Sequence, residues 1–65
     1  MHISVNGEVE QIEPQSLESY LSNKSLLGRR IAVERNGDIV PKSQFSNVIL
    51  KDGDVLEIVH AIGGG

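Results

Sequence analysis

Residues 50–65 read Leu50-Lys51-Asp52-Gly53-Asp54-Val55-Leu56-Glu57-Ile58-Val59-His60-Ala61-Ile62-Gly63-Gly64-Gly65 and hold a turn, a strand and a tail. Asp52-Gly53-Asp54 is turn chemistry, because Gly accepts positive φ and Asp bonds its own backbone. From Val55 to His60 apolar residues alternate: Leu56 and Ile58 share one face, and Val55, Glu57 and Val59 the other. That period of two is the mark of a strand with one face on a core. Three glycines follow. A frayed end is one reading, since disorder concentrates at termini; the other makes the end the working part. The rest of the chain decides between them.

Outward from this stretch, toward the N-terminus, Met1, Ile3 and Val5 alternate with His2 and Ser4, so Met1 to Val5 is a half-buried strand. Asn6-Gly7 follows, and Asn-Gly fits a type I′ hairpin turn. The returning strand runs from Glu8 to Ile12, and Glu8, Glu10 and Glu13 suit a charged edge that discourages strand addition. Pro14 closes it. Ser16 is an N-cap, with Leu17, Tyr20 and Leu21 at helical spacing, so a short helix spans Ser16 to Ser22. Asn23 to Gly28 connects, with Leu26 and Leu27 as plugs over the core. Arg30 to Arg35 alternates again, Asn36-Gly37 turns, and Asp38 to Val40 returns until Pro41, which cannot donate to a ladder, ends it near an edge. Lys42 to Asn47 is irregular or one helical turn anchored by Phe45, and Val48-Ile49-Leu50 is a brief apolar segment.

The order is strand, strand, helix, strand, short strand, strand. The expected fold is α+β: a small mixed sheet of four to five strands with one helix across one face, covering Ile3, Val5, Ile31, Val33, Leu56 and Ile58. Residues 1–60 form the domain, and residues 61–65 a flexible Gly-rich tail.

Composition narrows the function. The chain has 65 residues, so one thin core is all it can hold, and with one Phe, one Tyr and no Trp that core is aliphatic. There is no Cys, which suits a reducing compartment and a cytoplasmic protein. No apolar run reaches the length of a signal peptide or a membrane span. A net charge of −3 disfavours nucleic acid and leaves room for a partner with a basic docking surface. His2 and His60 invite a metal reading, but parallel first and last strands would put them at opposite ends of the sheet, and zinc needs converging ligands. Asp52-Gly53-Asp54 lacks the further oxygen ligands of a calcium loop. The serines include no nucleophile elbow, and the glycines have no helix after them to cradle phosphate. No metal, no bound cofactor and no enzymatic activity are expected of this chain alone, and a small acidic monomer is the default state.

Ile31 to Asp38 (IAVERNGD), Ile39-Val40-Pro41 before Phe45, the Asp52-Gly53-Asp54 turn and the final strand running into glycines together resemble the β-grasp fold of ubiquitin and its bacterial relatives. Within that group the pattern resembles the ThiS family, sulfur carriers of thiamine biosynthesis, over essentially the whole chain. The resemblance implies that the α-carboxylate of Gly65 is the reacting group, with Gly64 beside it. An E1-like adenylating enzyme would use ATP and magnesium to make it an acyl-adenylate. Sulfur from a persulfide donor protein would replace AMP and give a thiocarboxylate, and a thiazole synthase would take the sulfur. Gly63, Gly64 and Gly65 suit a tail that threads a narrow channel, because a missing Cβ permits close backbone approach. Five residues beyond His60 reach at most about 17 Å, at roughly 3.3–3.6 Å per residue. Docking would use the sheet face away from the helix, with Ala32, Glu34, Glu57 and Val59 on it and Ile62 at the root of the tail. Two other functions stay open: a ubiquitin-like protein modifier, and the related carrier that supplies sulfur to molybdopterin. A noncovalent domain with a glycine tail is the third.

Overall fold

Both Asn-Gly pairs turn the chain as expected. In the computed structural model, which describes residues 1–61, Asn6 and Asn36 have φ of 50° and 53°, the left-handed backbone that type I′ turns require. The first turn joins β1 (His2–Val5) to β2 (Glu8–Gln11), and the second joins β3 (Ile31–Arg35) to β4 (Asp38–Val40). The last strand, β5 (Val55–His60), lies between the hairpins, parallel to β1 and antiparallel to β3. The sheet order is β2-β1-β5-β3-β4, so both charged or Pro-terminated strands are edges, as their sequences imply. The helix α1 (Leu17–Asn23) packs Leu17, Tyr20 and Leu21 on one face of the sheet.

That face supplies the core. Ile3, Ile31, Val33, Leu56 and Ile58 are buried beside the three helix residues, Phe45 and Leu50, with Val5 partly buried at the margin. Burying large aliphatic side chains contributes roughly 1.5–3 kcal/mol each before the entropy of ordering the chain is counted. Tyr20 adds a polar tie: its hydroxyl donates to Glu10 Oε1 at 2.9 Å, and Lys24 Nζ lies 3.2 Å from the same oxygen. Burial, then the Glu10 carboxylate, push the Tyr20 hydroxyl well above its ordinary pKa.

Seven residues make a marginal helix on their own, so α1 depends on its ends. Ser16 Oγ accepts from the Ser19 amide at 3.0 Å. The amides of Leu17 and Glu18 donate to the carbonyls of Val48 and Phe45, at 2.8 and 3.0 Å. The segment after β4, a 3-10 turn at Lys42–Gln44 and then Phe45 to Leu50, thus supplies acceptors the helix start lacks. Of the two options expected for Lys42 to Asn47, irregular chain or one helical turn, the turn is the one formed, and Phe45 is buried as its anchor. At the other end Ser25, at φ 60°, allows Leu26 N–H to reach Leu21 O and Ser25 N–H to reach Ser22 O, a Schellman closure. Leu26 packs on the core as its expected plug. Leu27 does not: it is exposed, because the closure spends only one hydrophobic contact there.

Candidate functional site

The turn before β5 is built from three residues with separate tasks. Gly53, at φ +87°, donates its N–H to His2 O at 2.7 Å, and Asp52 Oδ1 accepts from the His2 amide at 2.7 Å. Asp54 is buried. It accepts from the Lys51 amide at 2.8 Å, from Arg35 Nε at 2.9 Å and from Asn36 Nδ2 at 3.0 Å. Burial alone would raise its pKa, but those donors outweigh burial and hold it below the usual carboxylate value. The start of β5 is thereby locked to both β1 and β3.

From that fixed start β5 carries one set of side chains into the core and the other outward. Register shows which outward residues meet. Ala32 lies opposite Val59, Glu34 opposite Glu57 on one side and Ile39 on the other, and Ser4 opposite Val55 and Val9. Directly paired residues share a face, so Ala32, Glu34, Glu57 and Val59 are together on the face away from α1, where the sequence puts them. Val55 and Val59 are 48% and 59% exposed, and Ile39 and Val9 are 64% and 73% exposed on the same face. Ile39 and Val9 were not among the expected face residues. Their signal was register: a two-residue turn fixes which residue of the returning strand faces which, and Glu34 and Ser4 were already outward.

The open face is therefore a patch of branched apolar side chains around two glutamates directly opposed across β3 and β5. Like charges so placed repel. The described surface has no concave pocket that could enclose a small molecule. Among the described residues no three His, Asp or Glu side chains converge as metal ligands would. His2 and His60 sit at opposite ends of the sheet, since β1 and β5 are parallel. Among the described residues no helix is long and apolar enough to cross a membrane. Ile62, Gly63, Gly64 and Gly65, and the expectation of a flexible tail, lie outside the described residues.

Comparisons with known proteins cover the whole chain. The ThiS family model matches residues 3–65. The sulfur carrier protein ThiS of Bacillus subtilis is 40% identical over 77% of this chain and 76% of its own length. A thiazole synthase of Paramagnetospirillum magneticum is 44% identical over 100% of this chain, which spans only 20% of that protein. The crystal structure of thiamine biosynthesis protein ThiS from Geobacter metallireducens superposes with a TM-score of 0.86 at 29% identity, covering 100% of both chains. The sheet with one helix is thus the β-grasp arrangement of that protein.

Proposed function

The chain belongs to the ThiS family, and from that membership we propose that it is a cytoplasmic sulfur carrier for the thiazole of thiamine, with the carboxylate of Gly65 as its reacting group. A carboxylate resists nucleophiles because its carbonyl is resonance-stabilised and negatively charged. An E1-like adenylating enzyme, with ATP and magnesium, converts it to an acyl-adenylate and releases pyrophosphate. The outer sulfur of a donor persulfide then displaces AMP to give an acyl disulfide, and a thiol cleaves its S–S bond, leaving a thiocarboxylate on Gly65 and a disulfide between that thiol and the donor. Transfer of that sulfur to a thiazole synthase regenerates the carboxylate. The chain is a co-substrate throughout, and its folded body is the handle by which partners hold the tail.

The observation that carries this reading is the extent of the family match, which runs through the glycines to residue 65. The likeness to a segment of a thiazole synthase supports that enzyme class as the sulfur acceptor. The exposed apolar face with Ala32, Glu34, Glu57 and Val59 supplies the docking surface, and Gly63, Gly64 and Ile62 connect it to the reacting group.

ATP–pyrophosphate exchange by the host adenylating enzyme tests the reading. The 65-residue chain supports exchange and the same chain with its Gly65 carboxylate amidated does not. No exchange with the intact chain and an active enzyme would overturn it.

A further inference from the structure

The parallel ladder between β1 and β5 is short. Ser4 pairs with Val55 and Val5 with Leu56, and the backbone amide of Asn6 donates to Leu56 O at 2.9 Å. Continuing to Ile58 would need more of β1, but the chain turns away at Asn6-Gly7. The Asn6 side chain replaces the missing strand. Its Nδ2 donates to Ile58 O at 3.0 Å, and its Oδ1 accepts from Ile58 N–H at 2.8 Å. One planar amide thus satisfies both backbone groups of Ile58.

Beyond Ile58 the attachments are one-sided. Val59 and His60 pair with Ala32 and Ile31, and Ala61 N–H donates to Arg30 O at 2.9 Å, all from the β3 side. Asn6 is therefore the last hold on the β1 side among the described residues before the tail. We propose that Asn6 is a positioning residue for the C-terminal tail: its side-chain amide acts as a surrogate β1 residue and sets the line along which the chain leaves the sheet. This rests on the carrier reading, in which the tail must reach a partner's nucleotide site while the body is docked. The place of Ala61 fixes where the remaining residues start, and a misplacement of reacting groups by about 1 Å can cost on the order of a hundredfold in rate.

The molecule contains its own control. Asn36, in the other Asn-Gly turn, grips the opposite end of the same strand: its Oδ1 accepts from Val55 N–H at 2.8 Å. Gly tolerates the positive φ of both positions, so N6G and N36G each remove a grip on β5 and keep the turn. N6D is the second Asn6 variant. It keeps the acceptor for Ile58 N–H and sets a carboxylate oxygen against Ile58 O.

Two readouts test the proposal on the full chain: amide hydrogen exchange at Val59 and Ala61, and adenylation kinetics with the partner enzyme. N6G and N6D are expected to exchange roughly tenfold faster at both amides, the effect of about one lost hydrogen bond. They are expected to lose roughly tenfold in kcat with KM near wild type, since the docking face is untouched. N36G, melting lower but assayed well below its Tm, is expected to match wild type in both. Equal effects from N6G and N36G would reduce Asn6 to a stabilising residue and overturn the proposal, as would faster exchange with unchanged kcat. If the wild-type chain itself is not adenylated, the carrier reading fails; exchange then judges the grip alone, retained if acceleration is confined to the Asn6 variants and overturned if it is not.

Discussion

Asp54 shows how one residue can join three strands. It holds Arg35 and Asn36 on β3 and its turn while its backbone carbonyl accepts from Ser4 on β1. Replacing it by Asn removes the charge and misplaces a donor, and should cost about 2–3 kcal/mol by thermal or urea unfolding. The pH sign follows from its depressed pKa. The unfolded state takes up the proton first, so this stability is present above the unfolded carboxylate pKa, near 3.9, and is lost as pH falls through the lower folded value. D54N should lose that part of the acid dependence. Ser25 is the opposite case, a residue held at φ 60° where Gly would be unstrained. S25G should raise stability by about 0.5–1 kcal/mol, read as a higher Tm. Sequence made both Asn-Gly turns legible, because turn chemistry is local. It did not reveal that the two Asn side chains grip β5, or that Asp54 is buried: a turn Asp and a buried anchor look alike until Arg35 and Asn36 are brought beside it by folding.

At the scale of elements, the period of two in β1, β3 and β5 was enough to separate core face from open face, and Ala32, Glu34, Glu57 and Val59 fall together as that pattern requires. The segment from Phe45 to Leu50 was less legible. Its carbonyls are satisfied by the first turn of α1, a tertiary pairing that leaves no periodic trace. The end of α1 was obscured for another reason, since Ser25 occupies a position where Gly is the usual signal. The strand pair β3–β5 keeps two glutamates opposed at the centre of its open face. E57K would exchange repulsion for attraction, and should raise stability by roughly 0.2–1 kcal/mol. If the face receives a basic partner surface, the same change should slow adenylation several-fold while the melt improves, a separation that a purely structural pair would not give.

For the whole molecule, the fold places β5 in the middle of the sheet between two hairpins, with its outward side chains on an exposed apolar face. The order of elements carried the fold from sequence, and the β-grasp likeness at a TM-score of 0.86 agrees with it. The proposed function stands or falls on the chemistry at Gly65. Intact mass spectrometry of the untagged 65-residue chain tests it most directly, with the host adenylating enzyme, ATP, magnesium and a sulfur source. A gain equal to one sulfur minus one oxygen is expected, mapped to Gly65 and lost when thiazole synthase and its substrates are added. An unchanged mass with an active enzyme, or conjugates of the chain on lysines of other proteins in place of that gain, would contradict it.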